Sequence, residues 1–330
     1  MSVVLTKSRF INALKCYWSY ALSRFGLVRI SHAPLFVSVE PAAVCQLKCP
    51  ACPVALRNVE ISKYRDSQRL MSREVWRRTL SEVAKKAHTI QFYFQGEPLL
   101  NKDLPQMIRE AHDAGLYTIV STNAQALTAE MAEALVASGL SRIIISMDGL
   151  TPETYNAYRV GGDLEKVKAA LRYLREAKEN KLSPFAFHLS PFIELQCLRL
   201  RTNEHEWSAF RREYKALGAD RLVFKTAQLY DYADGHPLMP SDARYSRYTK
   251  GKDGLFHRKP RSKSCLRVWS GVVVTTTGEV LPCCYDKAHA HAYGNIMESR
   301  MDDLFRSEKA MAFRKAALRE QPAICQECWR

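Results

Sequence analysis

The first 34 residues contain no Asp or Glu at all. No apolar run in the chain approaches the roughly 18 residues needed to span a membrane. Nor does the start combine a continuous apolar core with a small-residue cleavage site, so it does not read as a secretory signal. Cysteine is too sparse for a disulfide scaffold: ten residues in 330, about 3%. The nine histidines show no metal-pair spacing in the central part of the chain, and no nucleic-acid-binding module is recognisable. These absences predict a cytoplasmic protein, with a peripheral position at the inner membrane face as the alternative.

What is present is a large basic excess. Lys and Arg number 49 against 34 Asp and Glu, a formal net charge of +15. Such a balance suits anionic partners or is simply a solvated surface. In the acid-free N-terminal stretch, Ile11, Leu14, Trp18, Leu22 and Phe25 recur at helical spacing beside Lys7, Arg9, Lys15, Arg24 and Arg29. The pattern predicts a basic amphipathic helix. Its apolar stripe is expected to pack on the protein's own body, with contact to a membrane surface through residues 1–30 as the alternative.

From residue 35 strands and helices alternate. Six apolar stretches predict strands: LFVSVEPA, TIQFYFQGEP, LYTIVSTNA, SRIIISMDG, FAFHLSPFIEL and DRLVFKTAQ. Helical patterns separate them, with Ser72 and Thr128 as N-caps. Six strands joined by helical crossovers imply a parallel sheet whose ligands gather at the strand C-termini. Polar residues punctuate four consecutive ends: Cys45–Cys52, Gly96-Glu97-Pro98, Ser121-Thr122-Asn123 and Ser146-Met147-Asp148-Gly149. Four in series point to one shared pocket. Residues 232–264 are turn-rich and basic and read as a linker or lid, and from Cys265 a hairpin (GVVVTTTGEVLPCC) and a helical stretch lead to ICQECWR.

The cysteines cluster, which points to metal rather than disulfides. Cys45, Cys49 and Cys52 are spaced C-x3-C-x2-C. Three thiolates can hold three irons of a [4Fe-4S] cluster and leave one iron open, or they can hold a zinc completed by a distant ligand. Cys265, Cys283, Cys325 and Cys328 supply four thiolates, enough to close a second [4Fe-4S] cluster or a structural zinc ribbon. Cys284 is an alternative to Cys283.

The C-x3-C-x2-C loop after the first strand and the Gly-Glu-Pro strand end resemble the radical SAM superfamily. The order continues with Ser-Thr-Asn-Ala, Ser-x-Asp-Gly and Tyr158-Arg159, and this resembles the branch with C-terminal SPASM or twitch domains, over residues 35–330. The resemblance implies an α/β fold: a partial (β/α)6 barrel over 35–231 and a small β-hairpin and helix domain over 265–330. It implies a [4Fe-4S] cluster that binds S-adenosylmethionine. The strand end with Gln95, Gly96 and Glu97 would take the methionine amino group. Ser121 and Asn123 would lie near the ribose or carboxylate, and Ser146 and Asp148 would line the same pocket. Arg159 would pair with the carboxylate. Two departures stand out: Ala51 replaces an aromatic residue, and Gln95 replaces the first glycine of Gly-Gly-Glu-Pro.

The activity implied is reductive cleavage of S-adenosylmethionine to a 5′-deoxyadenosyl radical that takes hydrogen from substrate. The cysteine count fits one auxiliary cluster, as in the 2-deoxy-scyllo-inosamine dehydrogenase type, accepting or relaying electrons. An external donor of flavodoxin or ferredoxin type is expected. Lys225, Gln228 and Tyr230, at the end of the sixth strand, are candidates to face substrate. The 34 residues ahead of the barrel are fewer than a peptide-binding domain needs, which favours a small-molecule or lipid substrate. A peptide maturase is the alternative within the family. A non-enzymatic iron–sulfur or zinc protein that binds nucleic acid is the alternative outside it.

Overall fold

The computed structural model describes residues 5–56, 69–180, 191–259, 265–326 and 328. Six parallel strands form where the period predicts them: β1 Phe36–Val39, β2 Thr89–Phe92, β3 Tyr117–Thr122, β4 Arg142–Ser146, β5 Phe192–Arg199 and β6 Arg221–Thr226. They pair in sequence order, each with the next. β5 runs four residues past the predicted end, and the first part of that prediction lies outside the described residues.

Local chemistry sets the helix starts. Ser72 accepts from the Val75 amide at 3.2 Å and Thr128 from the Met131 amide at 3.2 Å. Between sheet and helices lies one apolar core that includes Trp76, Phe92, Met107, Leu135 and Leu171. Phe92 and Trp76 meet with ring centroids 5.4 Å apart.

The C-terminal hairpin, β9 Gly271–Val274 and β10 Glu279–Leu281, forms as predicted, with Gly278 supplying the positive φ of +87° at its turn. β9 also pairs in parallel with β1 over four residues, so the hairpin extends the barrel sheet. The sheet runs β11-β10-β9-β1-β2-β3-β4-β5-β6, with β11 at Gly294–Asn295, and does not close on itself. This is a partial barrel, as expected.

The stretch predicted as a linker or lid carries a second hairpin, β7 Tyr248–Lys250 with β8 Phe256–Arg258; its last residues, 260–264, lie outside the described ones. It packs down firmly. Tyr248 is buried, its hydroxyl accepts from the Leu229 amide at 2.7 Å, and its ring lies 4.3 Å from that of Tyr232. With Leu238 and Met239 it joins a second apolar cluster built around Leu47, Cys49, Ala51 and Tyr158.

The helix α1, Lys7–Ser23, does pack on the body, but by the opposite face from the one expected. Its buried residues are Arg9, Asn12, Cys16, Ser19 and Ser23, while Ile11, Leu14, Trp18 and Phe25 are exposed and Leu22 is half-buried. The reason is hydrogen bonding. The facing surface presents backbone carbonyls, which the polar residues satisfy and an apolar stripe would leave without partners. No helix among the described residues is long and apolar enough to cross a membrane.

Candidate active site

Glu97 joins the ends of β2 and β3. It is buried, and its carboxylate accepts from the Leu99 amide at 3.1 Å, the Thr122 hydroxyl at 2.6 Å and the Asn123 amide at 2.8 Å. Burial pushes its pKa up against the pull of these donors. Its amide donates to Val44 O at 2.8 Å, which draws the cysteine loop onto the same point. Gly96 permits that approach: a Cβ there would lie 2.1 Å from Ala42 O. Glu97 is therefore a brace, its carboxylate engaged by the Leu99, Thr122 and Asn123 donors.

Cys45, Cys49 and Cys52 follow on the loop after β1. The Cys45 sulfur accepts from the Leu47 amide and from Asn123 Nδ2, each at 3.4 Å. Arg159 Nη1 stands 4.0 Å from the Cys49 sulfur. Burial pushes the Cys45 thiol up to about 11 and raises Cys49 also. Thiols so buried ionise when a metal provides the opposing charge. Among the described residues, no three His, Cys, Asp or Glu side chains are arranged to hold a single metal ion. Three loop thiols, two of them with N–H donors at their sulfurs, fit a multi-iron cluster better than a structural zinc, which would need a fourth protein ligand.

These sulfurs open onto a cavity of about 300 Å³ at the strand ends. Gln95, Gly96, Glu97, Ser121, Asn123, Ser146 and Arg159 all line it, together with Gln228 and Tyr230 after β6. Asp148 does not reach the cavity. It is fully buried and accepts from Arg159 Nε at 2.6 Å and the Leu198 amide at 2.6 Å. Burial pulls the Arg159 pKa down, but Asp148 and then Cys49 outweigh it, and the guanidinium stays charged. Asn123 has its side-chain oxygen bonded to the Gln125 amide at 3.0 Å and its nitrogen on Cys45, so it buttresses the loop. Lys225 is exposed on β6 and lies outside the lining, which corrects its expected position at the pocket. Tyr230 is held neutral, its pKa raised to about 12 by burial and then by Cys52.

Sequence reasoning missed Lys287. It lines the cavity with its ammonium 4.4 Å from the Phe94 ring centroid, and its carbonyl accepts from Gln95 Nε2 at 3.1 Å. Burial lowers its pKa, while Cys284 and Cys52 act in the opposite direction. It stands between the two cysteine groups. The only signal for it lay three residues after Cys284, in a segment without period. Around Cys283, burial raises the thiol, and Cys284, Cys265 and Cys325 lie near enough to raise it further. The Cys328 amide donates to Cys325 O at 3.2 Å, closing the last turn. Cys284 also acts on Lys287 and Tyr93.

Residues 39–187 match the radical SAM superfamily, and residues 265–329 match SPASM, an iron–sulfur cluster-binding domain. The chain is 35% identical to the PqqA peptide cyclase of Ruegeria pomeroyi, over 76% of this chain and 68% of the cyclase. It is 25% identical to the AdoMet-dependent heme synthase of Methanosarcina barkeri, over 92% of this chain and 89% of the synthase. The chain spans about two thirds of the length of the first cyclases it matches, 66% and 67%. Among solved structures, BtrN in complex with AdoMet and 2-DOIA superposes with a TM-score of 0.53 at 19% identity, covering 90% of this chain and 93% of that one.

Proposed function

This chain belongs to the radical SAM superfamily of enzymes and carries a SPASM domain, and from that premise we propose that it takes a hydrogen atom from a substrate held in the Cys45–Arg159 cavity. The cofactors are a [4Fe-4S] cluster with S-adenosylmethionine in the first domain and iron–sulfur in the second. When bound and reduced, they supply a 5′-deoxyadenosyl radical. The observation that carries the reading is convergence: three thiols, one oriented guanidinium and three strand ends face one cavity.

In this reading Cys45, Cys49 and Cys52 hold the first cluster by three thiolates and leave one position for S-adenosylmethionine. The backbone of Gln95–Glu97 accepts from its amino group. Arg159, aimed by Asp148, takes its carboxylate. Ser121 and Ser146 complete the polar wall. Cys265, Cys283, Cys325 and Cys328 hold an auxiliary cluster that accepts or relays electrons, and an external flavodoxin- or ferredoxin-type donor supplies them. Gln228, Tyr230 and Lys287 face substrate, and Lys287 favours a small molecule or lipid with an anionic group. Peptide modification is the second reading. It is favoured by the peptide cyclases among the relatives, and a peptide carboxylate meets the same lysine.

The test is anaerobic reconstitution and reduction with dithionite. 5′-Deoxyadenosine is expected from the wild-type chain and not from Cys45→Ala, Cys49→Ala or Cys52→Ala. Iron is expected at about eight per chain, the content of two four-iron clusters. No 5′-deoxyadenosine from any reconstituted preparation overturns the catalytic reading, and iron near four removes the second cluster.

A further inference from the structure

Helix α1 is fastened to the body by its polar face. Arg9 donates to Gly115 O at 2.7 Å, Ala84 O at 2.7 Å and Ala114 O at 2.6 Å. Asn12 donates to Lys86 O at 3.1 Å and accepts from the Ala33 amide at 2.9 Å. The Cys16 thiol points to Trp269 O. These bonds fix which way the helix faces, so its apolar side is held outward. Phe10 is 50% exposed, Leu14 56%, Tyr17 52% and Trp18 69%, and Phe25, just beyond the helix, is 83% exposed. At 100° per residue the four on the helix, Phe10, Leu14, Tyr17 and Trp18, fall on one side, opposite the buried set. Large apolar residues scattered singly need no explanation, but a contiguous outward stripe marks a contact surface.

The rim of that stripe says what the contact is. Lys7, Lys15, Arg24 and Arg29 are all exposed around it, and no acid occurs before Glu40. Beside Ile11 a hollow of about 250 Å³ opens among Lys15, Lys86 and Arg306. One carboxylate, Asp302, pairs with Lys86 at 2.5 Å and lies 3.8 Å from Arg306, so cations outnumber acids there three to one. A second copy of the chain would set two such rims against each other, like charge on like. An anionic lipid surface satisfies both halves: acyl chains take the apolar stripe and phosphates take the rim. Trp and Tyr, apolar with a polar edge, suit that boundary.

We propose that α1 and the turn carrying Phe25 lie on an anionic membrane surface, with Trp18 and Phe25 in the headgroup boundary and Lys7, Lys15, Arg24 and Arg29 on lipid phosphate. The contact is interfacial, not spanning. It is independent of the radical chemistry.

The test is co-sedimentation of the full chain with vesicles of equal phosphatidylglycerol and phosphatidylcholine, and with phosphatidylcholine alone. Binding to the anionic vesicles is expected, weaker by about tenfold or more on the neutral ones. Trp18→Ser combined with Phe25→Ser is expected to weaken anionic binding about tenfold or more, with the circular dichroism melt unchanged because both positions are exposed. Lys15→Gln and Arg24→Gln are each expected to cost about fivefold. Bromine-labelled acyl chains are expected to quench a fluorescence component that Trp18→Phe removes. Three outcomes overturn the proposal. One is no binding to anionic vesicles. Another is binding unchanged in the Trp18/Phe25 pair, which assigns it to general positive charge. The third is a dimer in gel filtration abolished by that pair, which assigns the face to a second copy.

Discussion

Asp148 and Arg159 divide one task. Arg159 meets the cavity; Asp148, wholly buried, aims it with one carboxylate oxygen and accepts from the Leu198 amide with the other. Removing one partner of a buried pair leaves an uncompensated charge. Arg159→Met is therefore expected to cost about 3–5 kcal/mol in denaturant titrations. Adding Asp148→Asn should return most of that stability. If Arg159 recognises a carboxylate, the double variant still binds S-adenosylmethionine weakly in equilibrium dialysis; affinity restored along with stability would reduce Arg159 to a structural role. Lys287 acts differently, as a cation between two thiol groups. Lys287→Met is expected to lower the reduction potentials of both clusters by roughly tens of millivolts, because net charge near a cluster sets its potential. Lys287→Arg should keep the wild-type values. A redox titration followed by electron paramagnetic resonance checks this, and unchanged potentials in Lys287→Met would place the ammonium too far away to matter.

Strand ends, rather than whole strands, build the site, and Gly96 shows how tightly. A methyl group at that position meets the backbone of Ala42 and Val44, neither of which can yield without moving the cysteine loop. Gly96→Ala should cost about 1–3 kcal/mol and lower iron retention after desalting, while exposed substitutions nearby do neither. The segment after α1 carries a pH response. Burial pushes His32 down to about 4, and Nε2 is fixed 2.9 Å from Trp269 O. In the unfolded chain its pKa is about 6.5. The unfolded state thus binds the proton first, so stability is whole above about 6.5 and falls as pH drops toward 4, by about 3 kcal/mol at most. Thermal melts across that range should show a flatter slope in His32→Gln. The strands, caps and cysteine loop were legible because period, cap chemistry and spacing are local. The face of α1 was not. Amphipathicity shows that a helix has two faces, but which one docks depends on the surface it meets, here a row of carbonyls for Arg9 and Asn12. Lys287 was invisible for the same reason: only folding brings it to Phe94.

The SPASM region shares the barrel's sheet, so it supports the first domain as well as adding to it. β9 covers the outer edge of β1, the strand that leads into Cys45, along Phe36–Val39. Without it, β1 would present an unpaired edge beside a buried core. The same segment receives the N-terminal region: Trp269 is fully buried, its carbonyl is contacted by Cys16 and His32, and its ring meets Tyr20 at 6.1 Å. Arg314, also fully buried, locks the C-terminal helix Glu308–Arg319 to this seam by donating to Val268 O at 3.2 Å and Phe305 O at 2.7 Å. Three parts of the chain, distant in sequence, therefore depend on one short segment, Val268–Val274: the turn of helix Leu266–Ser270 and the strand β9 that follows it. A chain ending at residue 264 is expected to lose the β1 edge, the floor under α1 and the Arg314 anchor together. It should be found insoluble or as a species with near-native far-ultraviolet but collapsed near-ultraviolet circular dichroism. Cys265→Ser with Cys283→Ser, which removes thiols while leaving β9 in place, should stay folded and retain the iron of the first site. If the truncated chain instead melts cooperatively with its first cluster intact, the barrel stands alone, and the shared sheet serves only to position the second cluster.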